Sequence, residues 1–149
     1  MIKDKIRKDL TESIKNKEAL KVSTLRMMIA EIVNKEKEKG DSIDEDTAVK
    51  VFYSMIKKRE EAAQHYGEAG REEAAQKERG EIDIIKSYLP PQLSEDEIRE
   101  EVRKVIAEVG AHDLKGLGKV MGILTKRLSG RASGGEMSRI VKEELEGVQ

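Results

Sequence analysis

The chain has no cysteine, no tryptophan, one phenylalanine, three tyrosines and only two prolines in 149 residues. Each shortage closes a class of explanation. Without cysteine there are no disulfides, no thiol nucleophile and no cysteine-ligated zinc. With aromatics at 3%, and Tyr53, Tyr66 and Tyr88 all placed before the prolines, base stacking in the manner of single-strand RNA binders has no platform in the second half of the chain. No window approaches the ~18 uncharged apolar residues of a membrane span. The charged opening MIKDKIRKDL lacks the apolar stretch of a secretory signal, so a cytoplasmic location is expected. Metal chemistry is equally poor in candidates. His65 and His112 stand alone in the sequence, without the partners that a metal site or a nucleophile–base pair requires, so no catalytic residue, metal or cofactor is assigned.

Charge is what the chain has in quantity. Charged residues make up 40%, yet the net charge is −1, so the balance has to be read locally. Residues 1–40 hold eleven Lys and Arg against seven Asp and Glu, residues 41–110 eleven against eighteen, and residues 111–149 seven against five. Within residues 111–135, Lys115, Lys119, Lys126, Arg127 and Arg131 face Asp113 alone. A local excess of this kind attracts polyanions even on a neutral protein.

Hydrophobic spacing makes the chain helical almost throughout. Ile2, Ile6, Leu10 and Ile14 mark a first helix. Leu25, Met28, Ile29, Ile32 and Val33 form a second stripe, and Ala48, Val51, Phe52, Met55 and Ile56 a third. Ala75, Ile82, Ile85 and Leu89 continue to SYLPPQLSEDEI, where Pro90 and Pro91 stop the helix. Ser94 with Glu97 makes a capping box, and Leu93 can staple to Ile98. Beyond it, Ile98, Val102, Val105, Ile106 and Val109 define one stripe, Leu117, Val120, Met121, Leu124 and Leu128 the next, and Met137, Ile140, Val141 and Leu145 the last, with Ser133 and Glu136 as a second capping box. The expectation is an all-α protein: a four-helix N-terminal domain over residues 1–90, its second and third helices forming a long hairpin, and a small three-helix bundle over residues 91–149. Acidic runs such as REEAAQKERGE read as solvated helix faces with pairs like Glu73 to Lys77.

The segment GLGKVMGILTKRLSGRASGG, from Gly116, asks for a ligand more than any other. A Walker loop fails here, because Gly118-Lys119 is followed by valine and preceded by Asp113 where the first glycine belongs; a dinucleotide fingerprint fails because Met121 replaces its last glycine. Helix geometry suggests something else. Gly118, Gly122 and Lys126 recur every four residues, so one side of this helix is bare of side chains, open to close approach by another helix or by a nucleic-acid backbone. Glycine inside a helix costs ~1 kcal/mol relative to alanine, which makes two on one side worth explaining. The loop from Ser129 to Gly135 then leads into a helix N-terminus, whose N–H groups suit a phosphate.

In this order and spacing, LRMMIAEIVNKEKEKG, SYLPPQLSEDEI, GKVMG and GRASG resemble the GatB/YqeY family, in particular its stand-alone YqeY-like members, over essentially the entire chain. The resemblance implies an all-α fold and a C-terminal domain similar to the tail of the B subunit of glutamine-dependent aspartyl/glutamyl-tRNA amidotransferase. That enzyme is a carbon–nitrogen ligase that uses glutamine as amide donor to convert mischarged Glu-tRNA(Gln) or Asp-tRNA(Asn), and its tail helps grip tRNA. Gly118, Val120, Met121, Gly130 and Ala132 fall on the shared pattern, although the segment between its halves is longer here. Nothing in the chain corresponds to the carboxylate-activating portion or to the amidase. The function implied is therefore an accessory that binds tRNA or another RNA, with tRNA and amidotransferase subunits as expected partners. Lys115, Lys119, Lys126, Arg127 and Arg131 would meet phosphate, and Gly118 and Gly122 would allow approach. The competing expectation is a helical adapter that seats another protein and no nucleic acid.

Overall fold

The computed structural model describes residues 1–147. It contains α1 (Ile2–Lys15), α2 (Ala19–Lys39), α3 (Glu45–Glu68), α4 (Glu72–Lys86), α5 (Glu95–Val109), a single 3-10 turn (Leu114–Gly116), α6 (Leu117–Arg127) and α7 (Gly134–Glu146). No strand occurs among the described residues, so the protein is all-α. The helices fall into two compact units, Met1–Leu89 and Pro90–Gln149. Among the described residues no helix is long and apolar enough to cross a membrane.

In the first unit the expected stripes build one core. Ile6, Leu25, Met28, Ile32, Phe52, Met55, Ile56, Ile82 and Ile85 are buried together. The closest packing joins α3 to α4 and α1 to α2, with α4 also lying along α2; α2 and α3, the pair expected to form the hairpin, meet only lightly. Gly80 helps to bring α4 against α2, because a Cβ there would sit 2.9 Å from Leu20 Cδ2. Arg59 of α3 ties the three helices at one point. Its Nε donates to Glu81 Oε2 at 2.8 Å, Nη1 to the Met55 carbonyl at 3.1 Å, and Nη2 lies 3.4 Å from Met27 Sδ. This ion pair is largely buried, its side chains 13% and 8% exposed. Tyr88, just past α4, donates its hydroxyl to Asp9 of α1 while Lys5 sits 5.5 Å from its ring centre. Burial, then the Asp9 carboxylate, raises the phenol pKa above its ordinary value.

The second unit opens on the capping box, present in full at Ser94 and Glu97. At Ser133 only half of the expected box forms: the side chain accepts from the Glu136 N–H. Ile98, Val102, Val105, Val120, Leu124, Leu128, Met137, Ile140, Val141 and Leu145 close the core, with Leu93, Leu117 and Met121 packed at its edge. Three helices suffice because each contributes a stripe and packs on both others. The approach segment is also fixed. Leu93 N–H donates to the Arg131 carbonyl at 2.9 Å, and Gln92 Nε2 to the Gly130 carbonyl at 2.8 Å, so the stretch before α5 holds the loop between α6 and α7. Gly130 turns that loop with φ of +78°, a conformation that favours glycine.

The outside of α5 and α7 carries a connected set of ion pairs. Arg99 reaches Glu143 at 2.7 Å, Glu144 at 2.8 Å and Glu95 at 3.2 Å; Arg139 joins Glu95 and Glu143, and Arg103 joins Glu144. Hydrogen bonds from these guanidinium groups hold the carboxyl groups of Glu95, Glu143 and Glu144 below the ordinary glutamate pKa.

Candidate nucleic-acid interface

The seven residues singled out in the sequence are all exposed, and they divide among three places. Gly118, Lys119, Gly122 and Lys126 lie on the outer side of α6, and every one of them is exposed. Lys119 and Lys126 are a heptad apart, so they point within about 20° of each other, ~10 Å apart along the axis. A Cβ built on Gly118 or Gly122 meets no atom within 4 Å. The bare side is therefore open solvent, and close packing against another helix of this chain does not account for the two glycines. Among the described residues neither lysine enters an ion pair.

Arg127 and Arg131 are placed differently. Arg127 donates from Nη1 and Nη2 to both carboxylate oxygens of Glu108 on α5, at 3.0 and 2.6 Å. These hydrogen bonds lower the Glu108 carboxyl pKa and raise that of the guanidinium. Arg131 turns its Nη2 onto the Arg127 carbonyl at 3.1 Å. Both border a hollow of about 470 Å³ whose other lining residues are Leu93, Glu97, Glu100, Glu101 and Leu128. Three carboxylates there offset the charge of the two arginines. The five cations expected to serve one phosphate surface thus divide: glutamates of α5 lie beside the two arginines, whereas the two lysines of α6 enter no ion pair among the described residues.

Lys115 occupies the third place, on the 3-10 turn, where its N–H bonds Asp113 Oδ1 at 2.9 Å and its side chain is exposed. It borders a smaller, mainly apolar hollow with Leu114 and Leu145, and Leu114 is 48% exposed. Gly116 closes this turn under a strict constraint, since a Cβ there would come 2.7 Å from the Ala111 Cβ. The α7 N-terminus, the other phosphate-like feature, is capped by Ser133, while Gly134 and Gly135 beside it are exposed with open space around them.

A family model described as Yqey-like protein matches residues 3–145. The chain belongs to the YqeY-like family. Among curated proteins it is similar to "Altered inheritance of mitochondria protein 41, mitochondrial" of Vanderwaltozyma polyspora, 33% identical over 70% of this chain and 58% of the relative. The proteins of the same name from Saccharomyces cerevisiae and Lachancea thermotolerans are 33% and 30% identical, over 66% and 70% of this chain and 55% and 57% of theirs. The chain thus spans little more than half the length of the curated relatives it matches.

For this YqeY-like protein the sequence reading missed the partners of its cations. Glu108 lies nineteen positions from Arg127, beyond any local pairing rule. Within the acidic start of α5, Glu95 makes a local pair with Arg99 and also reaches Arg139 of α7, which no local rule foresees. The expected Glu73–Lys77 pair does not form among the described residues; Glu72 takes Arg79 two turns on, at 2.9 Å. No group of His, Asp and Glu among the described residues is arranged to hold a metal.

Proposed function

We propose that this YqeY-like chain is an RNA-binding accessory whose preferred ligand is tRNA, acting alongside tRNA-dependent amidation without performing it. In this reading residues 1–90 and 91–149 work as separate domains, the second similar to the amidotransferase tail. The observation that carries it is the outer side of α6, where, among the described residues, two exposed lysines have no ion pair and two glycines beside them are covered by nothing. Such a surface suits phosphate and sugar, because a ribose-phosphate backbone can come within contact distance of a bare helix while the ammonium groups meet its oxygens. The absence of aromatic residues from the second unit favours recognition by shape over recognition by stacked bases. Both the cytoplasm, expected from the sequence, and the mitochondria named for the relatives contain tRNA.

The adapter reading retains one observation of its own, the half-exposed Leu114 beside an apolar hollow. Salt separates the two. The test is fluorescence anisotropy with a tRNA transcript at rising KCl. Binding that weakens steeply with salt and is lost in Lys119→Glu/Lys126→Glu, at unchanged melting, supports the RNA reading; binding to a protein partner with little salt dependence, and none to tRNA, overturns it.

A further inference from the structure

Arg127 is the cation that the α6 surface leaves unused. It follows Lys126 directly and lies about 100° further around the helix, on the flank turned toward α5. Its two-pronged pair with Glu108 has good geometry, yet both side chains remain open to water, 43% and 49% exposed. An exposed pair is held weakly. A phosphate offers a guanidinium the same two-oxygen acceptor that Glu108 offers. The groups facing Arg127 thus decide what it is free to do, and Glu101 adds a second negative charge nearby.

We propose that Glu108 is an intramolecular competitor for phosphate at Arg127: it occupies the guanidinium fork and so limits how strongly the α6 side takes up polyanions of any sequence. This rests on the RNA reading of α6. Lys119 and Lys126 make the first contacts, and Arg127 joins only a backbone whose course brings a phosphate close enough to displace the carboxylate. Glu108 is then a specificity residue, because it suppresses binding to polyanions that reach the fork without presenting two oxygens well enough placed to displace the carboxylate.

The experiment measures affinity for a tRNA transcript and for heparin, from low to moderate KCl, with the full chain. Glu108→Gln is expected to bind heparin about threefold tighter, with the slope of log affinity against log salt steeper by about 0.7 to 0.9. Glu108→Gln/Arg127→Gln should return both quantities to the wild-type values. Glu61→Gln, which neutralises an exposed carboxylate on α3, should leave the slope alone and so controls for net charge. A slope unchanged in Glu108→Gln, or a gain that persists in the double variant, overturns the competitor while the α6 reading stands through Lys119 and Lys126. Failure of wild type and Glu108→Gln alike to bind either polyanion overturns both. Binding by Glu108→Gln alone supports the competitor.

Discussion

The two units of this chain differ in one use of charge: among the described residues, only the first places an ion pair largely inside its fold. In Met1–Leu89 a largely buried arginine–glutamate pair sits at the meeting point of three helices, and all four aromatic residues lie in this part of the sequence. In Pro90–Gln149 the core is aliphatic, the ion pairs lie outside it, and two lysines beside two glycines face solvent with no partner among the described residues. Charge that is buried constrains architecture, since it must be satisfied within the chain. Charge left outside is available to a ligand.

Breaking the buried pair should have the largest effect. Arg59→Ala leaves Glu81 uncompensated and should cost about 3 to 5 kcal/mol in urea unfolding, whereas Arg59→Met/Glu81→Leu should cost clearly less than either single change. Equal losses would mean that the pair itself, and not its stranded half, supplies the stability. The interface should break without any such loss: Lys119→Glu/Lys126→Glu should lower tRNA affinity more than tenfold at low salt, by analogy with the loss of two phosphate contacts, and leave the circular-dichroism melt in place.

A sharper version uses the glycines. Because a Cβ at Gly122 meets open space at ordinary helical φ, Gly122→Ala should stabilise the fold by roughly 0.5 to 1 kcal/mol. The same change should weaken tRNA binding if the bare side admits a backbone, so a gain in both stability and affinity would sink the idea of close approach. The smallest effect concerns acid. Glu95, Glu143 and Glu144 have folded pKa values below their unfolded ones, so their contribution is present above the ordinary glutamate value and is lost as pH falls through the depressed values. Hydrogen-exchange protection of α5 and α7, taken relative to the intrinsic rate at each pH, should therefore fall below about pH 4, and Arg99→Met should flatten that response.

Most of the fold was legible because its helices keep a strict apolar period and its breaks carry proline, glycine or a capping serine. The exceptions have a geometric cause. Residues Ile2, Ile6, Leu10 and Ile14 recur every four, which advances about 40° beyond a full turn at each step; the stripe winds off the core, Ile14 is 49% exposed, and Ser13 is buried in its place. The light contact between α2 and α3 could not be read either, since it depends on α4 lying along both. The candidate site was half legible. Residue type and spacing locate the lysines and the bare side of α6, but the sequence carries no sign that α5 brings Glu108 to Arg127, for that is a tertiary encounter.

The hydrogen bonds from Gln92 and Leu93 to Gly130 and Arg131 carry a practical consequence for dissecting the molecule. A fragment begun at the capping serine would keep every residue of the three-helix core, yet it would forfeit the short brace that fastens the turn between the last two helices. Expression of the C-terminal half alone should therefore start upstream of Gln92, at the prolines, or the arginine in that turn will be studied in a setting it does not have in the full chain.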